Sequence, residues 1–256
     1  EPDAVKIDVF GQQWWWEYRY DTNDDGEPDI ITANEMVIPV DRPIELNVQS
    51  RDVIHSFWIP ALNGKMDSVP GRTQFLGFQA NEPGTYEGQC TEFCGLSHGY
   101  MRMEVKALPE AEYDDWVQSQ QAPPPEPKGE LAEEGRTAFQ SQCAYCHQVN
   151  GLTSEGDYSG DGPVSDYKGL DGAALPTVRP GVAPNLTHLM SRNRFAGNMF
   201  PLYYKDGTPD EGALKEWLTD PEAMKPMMPD NLQGMPNLNL DPATIDALVA
   251  YLITLD

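Results

Sequence analysis

The 256-residue sequence contains no long run of apolar residues. No stretch approaches the roughly 20 consecutive apolar residues that a membrane-spanning helix needs. The first residues also lack the charged start and apolar core of a signal peptide. We therefore expect folded domains in water, either as a naturally soluble protein or as the soluble portion of an anchored one.

Basic residues are also scarce, with 17 Lys and Arg against 41 Asp and Glu and a net charge of −24. Nucleic acids and anionic lipid heads require a basic surface, so this composition excludes both as partners. The acidic field favours a basic partner, whose approach would weaken as salt increases. The alternative is that the charge only maintains solubility or adapts the protein to salt.

Cysteine and histidine are rare, with four of each. The cysteines form two close pairs, and a histidine follows each pair: Cys90 and Cys94 precede His98, and Cys143 and Cys146 precede His147. An even number of cysteines often indicates disulfides in a short extracellular chain. A histidine after each pair is more typical of metal binding and haem attachment.

A proline-rich segment, Gln121 to Lys128 (QAPPPEPK), divides the chain. Proline fixes φ and disfavours helix and sheet, so this segment is predicted to be an extended spacer. We expect a first domain over residues 1–121, a linker over 122–128 and a second domain over 129–256.

The first half alternates apolar and polar residues with period two, which predicts an antiparallel β-sandwich or barrel. The alternating segments are Val5 to Phe10, Met36 to Val48, Thr73 to Phe78 and Met101 to Val105. A short helix over Glu110 to Gln120 is predicted to close this domain.

The second half has helical spacing over Leu131 to Phe139 and Pro242 to Leu255. Asp241 is a plausible N-cap, followed by Pro242 at the first helical position. The segment from Gly151 to Pro184 is rich in Gly, Pro, Asp and Ser and is predicted to be a long loop. These patterns favour an all-α second domain.

The segment CTEFCGLSHGYM, from Cys90 to Met101, offers two thiols, an imidazole and a thioether, and His55 in DVIHSFWIP adds a second imidazole. Thiolates and thioethers suit copper(I), and imidazole suits copper in either oxidation state. Two thiolates can bridge two copper ions that share one unpaired electron, which is suited to fast electron transfer.

Two alternatives exist for this segment, a Cys90–Cys94 disulfide and a zinc site. Zinc prefers four tetrahedral ligands at spacings such as C-x-x-C, which C-x-x-x-C does not match. A disulfide would leave His98 and Met101 unexplained. Copper is the interpretation that the donor types favour.

Three segments closely resemble subunit II of the haem–copper cytochrome c oxidases: CTEFCGLSHGYM, DVIHSFWIP and GQQWWWEYRY, from Gly11 to Tyr20. The resemblance implies a cupredoxin-like β-sandwich with a binuclear copper (CuA) centre. Its implied ligands are the side chains of His55, Cys90, Cys94, His98 and Met101 and the backbone carbonyl of Glu92.

The same resemblance implies further roles. The Glu92 side chain would reach a magnesium ion shared with subunit I, and Trp14 would be the aromatic through which electrons enter. Many members have His where this chain has Gln12. The family also has two N-terminal membrane helices that are absent here, so we expect the soluble part of an anchored subunit.

The segment Cys143-Ala-Tyr-Cys-His147 is a C-x-x-C-H motif. Its thiols attach haem c through thioethers, and His147 supplies the proximal imidazole. The alternative, a thioredoxin-like redox pair, requires a βαβ context that this segment lacks. The motif therefore resembles a class I cytochrome c, and Pro184 to Arg192 resembles the haem domain fused to some oxidase subunits II.

In that family the second axial ligand is a methionine before the last helix. Met235 lies sixteen residues before Tyr251 and is followed by Pro-Asn-Leu, as the resemblance requires. Met228 lies nearer to the Lys225-Pro226 landmark. We expect Met235 to be the ligand, with Met228 as the alternative.

The segment Asp21 to Asp29 resembles the first half of a calcium loop. Its possible ligands are Asp21, Asn23, Asp25 and Asp29. Thr32 stands where the bidentate acid is expected, and an Asp-Gly hairpin between strands is the alternative.

Together these resemblances imply the electron-accepting subunit of a cytochrome c oxidase, a proton-translocating oxidoreductase whose oxygen site lies in subunit I. Its implied partners are subunit I, other membrane subunits and a basic or upstream cytochrome donor. The implied location is the periplasmic or outer face of a bacterial cell membrane. Alternatives are a CuA and haem c subunit of a nitric oxide reductase, a disulfide-bonded binding module and a free-standing electron carrier.

Overall fold

A computed structural model of the protein describes residues 3–23, 25–150, 152, 183–228 and 233–256. The predicted loop over residues 151–184 lies almost entirely outside this part of the chain. The described residues form two compact units. The first contains those of Glu1–Ala122, Arg194–Phe200 and Asn231–Gly234, and the second contains those of Pro123–Asn193, Pro201–Asp230 and Met235–Asp256.

The first unit is built mainly from ten strands and one helix. The strands are β1 (Val5–Gln12), β2 (Trp15–Tyr20), β3 (Ile30–Ala33), β4 (Glu35–Pro39), β5 (Ile44–Ser50), β6 (His55–Phe57), β7 (Met66–Ser68), β8 (Gln74–Phe78), β9 (Gly84–Gln89) and β10 (Arg102–Leu108). The helix α1 (Glu110–Gln121) follows β10. The strands and the closing helix predicted from the sequence are therefore present.

The strands form a five-stranded sheet in the order β3-β2-β1-β5-β8, a three-stranded sheet in the order β4-β10-β9 and a ribbon of β6 and β7. The prediction of a purely antiparallel arrangement is wrong, because β1 pairs with β5 and β4 pairs with β10 in parallel. Alternation of apolar residues reports which face of a strand is buried. It carries no information on the direction of the neighbouring strand.

The core of the first unit lies between the sheets and follows the alternation. In β1 the side chains of Ile7 and Val9 are fully buried, and in β5 those of Leu46 and Val48 are almost completely buried. Each such side chain contributes about 1.5–3 kcal/mol on burial. These residues hold β1 and β5 rigidly together, and both strands lead to the site described below.

The second unit contains four α-helices in its described part: α2 (Glu130–Gln142), α3 (Glu211–Thr219), α4 (Pro221–Met224) and α5 (Pro242–Leu252). A pair of two-residue strands, β11 (Arg194–Phe195) and β12 (Phe200–Pro201), precedes α3 in the chain and belongs to the first unit except for Pro201. The Asp241 carboxylate accepts hydrogen bonds from the N–H groups of Ala243 and Thr244, so the predicted N-cap is confirmed.

Helices α2 and α5 cross at a glycine. A Cβ atom on Gly135 would lie 1.9 Å from the carbonyl oxygen of Ala247 and 2.7 Å from the Cβ of Tyr251. One turn further along α2, the rings of Phe139 and Tyr251 meet edge to face with centroids 5.5 Å apart. The hydrogen atom of Gly135 thus allows the two backbones to approach until the aromatic rings pack.

None of the helices in the described part of the chain has the length and apolar character that a bilayer crossing requires.

Candidate redox sites

The ligand loop of the first unit, residues 90–101, lies between β9 and β10. Its two ends are joined by a hydrogen bond from the Cys90 N–H to the Met101 carbonyl, at 2.9 Å. Within the loop the chain turns at Gly95, which has a φ of 113°, and a single 3₁₀ turn follows over His98–Tyr100. His55 reaches the loop from outside as the first residue of β6.

The loop brings the predicted copper ligands together. The Cys90 and Cys94 sulfurs are 3.8 Å apart. Cys90 Sγ lies 4.0 Å from His55 Nδ1 and 3.2 Å from the Glu92 carbonyl oxygen. Cys94 Sγ lies 3.5 Å from His98 Nδ1 and 3.8 Å from Met101 Sδ. Each sulfur therefore has its own imidazole and a further weak donor.

Four members of this donor set are buried, whereas His98 is half-buried. Cys90 is 4% and Cys94 2% exposed, and His55 and Met101 are completely buried. A disulfide would need sulfurs about 2.05 Å apart, so the two cysteines are separate thiols. Soft sulfur and imidazole donors around a pair of thiolates fit copper, and their spacing leaves room for metal ions between them.

Cys90 and Cys94 affect each other's protonation. The hydrogen bond between the thiols lowers the pKa of Cys90, with a smaller contribution from His55, although burial opposes it. The same interaction raises the pKa of Cys94, because a second thiolate beside the first in a buried site is unfavourable. Binding of cations between the sulfurs would remove this penalty and release both protons.

Asp52 holds the His55 ring from its far side. His55 Nε2 lies 2.7 Å from Asp52 Oδ1, while Nδ1 faces Cys90. Burial lowers the pKa of His55, but the Asp52 carboxylate and the Cys90 sulfur together outweigh burial and raise the pKa overall. A carboxylate on the second ring nitrogen is the arrangement that fixes the orientation of metal-ligating histidines.

Trp14 is buried beneath the ligand loop and is only 1% exposed. Its indole Nε1–H donates to the Cys94 carbonyl at 3.0 Å. Trp15 and Trp16 are buried as well, at 7% and 0%. The role of Trp14 in accepting electrons stays a prediction, and the hydrogen bond gives it a direct link to a ligand residue.

The C-x-x-C-H segment extends α2 by one further turn. The Cys143 N–H donates to the Phe139 carbonyl at 2.8 Å, and the His147 N–H donates to the Cys143 carbonyl at 3.0 Å. Cys143 is buried and Cys146 is exposed, and no disulfide joins any of the four cysteines, all of which the structure describes. The turn therefore presents both thiols and His147 from one short segment.

His147 is arranged as a haem ligand would be. Its Nδ1 lies 2.8 Å from the Pro184 carbonyl oxygen, which leaves Nε2 available for iron. Burial lowers the pKa of His147, and the adjacent Arg192 acts in the same direction. The neutral imidazole, which is the ligating form, is favoured in consequence.

The two methionine candidates differ in their surroundings. Met235 Sδ accepts a hydrogen bond from the Trp217 indole at 3.1 Å, and the Met235 N–H lies 3.3 Å from Met227 Sδ. Met228 is 39% exposed. Met235 is thus held in place by neighbours within the second unit.

Two family profiles match the chain. That of the cytochrome c oxidase subunit II periplasmic domain (COX2) matches residues 5–108, and that of cytochrome c matches residues 132–256. The chain joins a COX2 periplasmic domain to a cytochrome c domain.

Curated relatives extend over both domains. Cytochrome c oxidase subunit 2 of Alkalihalophilus pseudofirmus is 32% identical over 254 residues, which cover 99% of this chain and 62% of that protein. The subunit 2 of Bacillus sp. (strain PS3) is 33% identical over 264 residues, covering 100% of this chain and 63% of that protein. The chain therefore spans a little under two thirds of the length of these relatives.

Among solved structures, the periplasmic domain of subunit II of cytochrome oxidase from Bradyrhizobium japonicum is 32% identical to this chain. The match covers 46% of this chain and 93% of the chain in that structure, with a TM-score of 0.42.

In the acidic loop of the COX2 domain, the carboxylates accept hydrogen bonds from N–H groups of the loop's own backbone. Asp21 accepts from the N–H groups of Asp25 and Gly26, and Asp29 accepts from the Thr22 N–H. Asn23 also accepts from Asp25, whose carboxylate accepts from the Glu27 N–H. This pattern is typical of a hairpin turn, and calcium binding stays a prediction.

Sequence reasoning missed three residues around the predicted copper ligands of the COX2 domain: Gly11, Gln13 and Asp52. Asp52 carried a usable signal, since a carboxylate three residues before a ligating histidine can reach its ring. Gly11 and Gln13 carried none, because only the pairing of β1 with β5 brings them to the site.

Proposed function

We propose that this chain is the electron-accepting part of subunit II of a haem–copper cytochrome c oxidase. One observation carries the proposal: two buried thiols, two imidazoles, a thioether and a peptide carbonyl converge in residues 55 and 90–101. Of the two halves of this cluster, one is centred on Cys90 and the other on Cys94. Such a set suits a binuclear CuA centre on a cupredoxin-like domain.

A copper pair bound here would supply one-electron transfer with little change in geometry. The protein's contribution is to hold the donor atoms in position before copper binds. Cys90 and Cys94 would supply the two sulfur ligands of the copper pair, and Asp52 orients His55. Burial of the cluster keeps water from the thiolates, which limits their oxidation.

The second domain is proposed to be an all-α class I cytochrome c domain over residues 129–256, following a linker over 122–128 and a copper domain over 1–121. Cys143 and Cys146 would attach haem c, and His147 and Met235 would be its axial ligands. Two protein ligands leave no open position on the iron, so the domain is suited to electron transfer and not to oxygen binding.

Partners are proposed from the surface near the copper ligands. Phe93 and Leu96 lie within the ligand loop and are 76% and 53% exposed, and Ile54, next to His55, is 46% exposed. An exposed apolar patch beside a redox site is typical of a protein interface, and oxidase subunit I is the partner proposed for it. The exposed side chain of Glu92 would contribute to a magnesium site at that interface.

The acidic composition supports a basic cytochrome as donor, steered by the field of this chain. We propose that the domains lie on the periplasmic or outer face of a bacterial membrane. Electrons would pass between haem c and the copper pair and on to subunit I for oxygen reduction and proton pumping.

The proposal is tested by copper and haem content, optical spectrum and low-temperature EPR on one copper-reconstituted, haem-loaded sample. We expect two coppers and one haem per chain, with the seven-line signal of an electron shared between two copper nuclei. Zinc in place of copper, or a four-line signal from one isolated copper, would contradict the proposed first domain. Absence of covalently bound haem would contradict the second.

A further inference from the structure

The Cys94 carbonyl oxygen accepts two side-chain hydrogen bonds from consecutive residues of a distant segment. Gln13 Nε2 donates at 2.6 Å and Trp14 Nε1 donates at 3.0 Å. A carbonyl oxygen has two lone pairs, so this oxygen is fully satisfied by the two side chains. Both donors contact the residue that would supply one of the two sulfurs of the proposed copper site.

The backbone at Gly95 is shaped to admit this contact. Its φ of 113° is in the region that favours glycine, and a Cβ atom there would lie 2.9 Å from Gln13 Nε2. It would also lie 3.2 Å from Trp14 Cζ2. The loop therefore turns against the Gln13 amide at the position immediately after Cys94.

Gln13 is also connected to the opposite side of the site. Its backbone N–H donates to Asp52 Oδ2 at 2.7 Å, and Asp52 Oδ1 lies 2.7 Å from His55 Nε2. One residue therefore contacts the carboxylate that orients the His55 imidazole and the peptide that carries the Cys94 thiol. His55 belongs to the Cys90 half of the cluster, so Gln13 links the two halves.

We propose that Gln13 is a positioning residue of the copper pair, which fixes the orientation of the Cys94 peptide relative to His55. The inference rests on the proposed copper function and adds to it a residue that touches no metal. The sulfur position determines how evenly the two coppers share the electron. Loss of the amide donor should therefore make the two halves of the site unequal.

The test compares Gln13→Met with the unmodified chain, each reconstituted with copper. Methionine keeps the length of the side chain and removes the N–H donor. We expect two coppers still to bind, with an altered copper hyperfine pattern, shifted thiolate-to-copper absorption and faster loss of copper to a chelator. Residues that support metal ligands typically change metal affinity by about 10–100-fold, and we expect an effect in that range.

Gln121→Met is the matched control. The Gln121 amide also donates hydrogen bonds, to Thr22 Oγ1 and Asp29 Oδ2, but it lies outside the copper ligand loop. We expect this variant to reproduce the unmodified spectra and copper loss. Gln13→Glu is a second variant of nearly the same shape that lacks the amide donor, in case Gln13→Met does not fold.

Unchanged hyperfine pattern and chelator kinetics in both Gln13 variants would overturn the inference while leaving the copper centre intact. If the unmodified chain itself binds no copper pair, the proposed function fails and the inference fails with it. The unmodified sample therefore separates the two failures.

Discussion

Gly11 lies against the ring of His55. A Cβ atom at this position would be 2.9 Å from His55 Cδ2 and equally close to Ser68 Oγ. Both atoms belong to fully buried residues of the β6–β7 ribbon, so neither can move freely. Because Gly11 has no side chain, the His55 imidazole can occupy the position in which it faces Cys90.

Gly11→Ala is expected to displace His55 and weaken copper binding. Insertion of a methyl group into such a packed region costs about 1–3 kcal/mol. Here the added methyl group would press against the ring of His55, a predicted copper ligand. Copper titration and EPR would measure the effect. Gly77→Ala on β8 is the control, since a Cβ there would have its nearest neighbour 3.8 Å away. Equal copper binding in both variants would show that His55 tolerates the added atom.

Met235→Leu is expected to abolish the iron–sulfur charge-transfer band of the oxidised haem, and Met228→Leu is expected to retain it. Met235 is half-buried and its sulfur accepts from Trp217, whereas Met228 is 39% exposed. Leucine is similar in volume, so the change removes the sulfur with little effect on packing. Loss of the band in the Met228 variant alone would indicate that Met228 is the axial ligand.

Gly135→Ala is expected to destabilise the second unit. The added Cβ would lie 1.9 Å from the backbone oxygen of Ala247, so α2 and α5 would have to separate. We expect the free energy of unfolding to fall by at least about 1–3 kcal/mol. Thermal unfolding of the haem-loaded protein would measure it. Gly212→Ala in α3, whose nearest contacts would be 3.3 Å and longer, should be close to neutral.

Glu17 is the centre of a buried ion cluster in the first unit. Its carboxylate pairs with Arg19 Nε at 2.6 Å and Arg51 Nη2 at 2.7 Å, and its side chain is 2% exposed. Burial raises the pKa of Glu17, but Arg51 and then Arg19 outweigh it and lower the pKa below its usual 4.5. The ionised carboxylate therefore stabilises the fold above pH 4.5, and this stabilisation is lost as pH falls through the lower folded-state pKa.

Glu17→Gln is accordingly expected to lower the free energy of unfolding by about 3–5 kcal/mol at neutral pH, because it removes the carboxylate charge that pairs with buried Arg19 and half-buried Arg51. The difference between the variant and the unmodified chain should shrink as pH falls below 4.5. Denaturant unfolding of the copper-free protein at several pH values would measure both. A difference that stays constant down to low pH would argue against an ionised Glu17.

The ligands of the proposed copper pair could be predicted from sequence because most of them lie in one short segment. Soft donors at close spacing, such as Cys94, His98 and Met101, reveal a metal site before any fold is known. Asp52 could have been found from its place three residues before His55, whereas Gln13 could not. The contacts of Gln13 depend on the parallel pairing of β1 with β5, which places Gly11 opposite Ser50.

Local capping signals in the sequence also predicted structure, whereas the relative direction of paired strands could not be predicted. Asp241 and Pro242 predicted the start of α5, since an N-cap is decided by neighbouring residues. Helix α3 was not predicted, although Asp210 accepts from the Ala213 N–H in the same manner. The short segment of nine residues gave too little periodicity to be recognised beside the surrounding glycine and proline residues.

His55 and Cys90 are separated by 35 residues in the chain but face each other across the site. A metal centre that binds both would tie β6 to the end of β9, as a covalent cross-link does. Closing a loop of this length in the unfolded chain corresponds to roughly 4 kcal/mol of conformational entropy. Copper loading would thus make the strand framework harder to open, and a chain that has lost its metal would be more susceptible to proteolysis between residues 55 and 90.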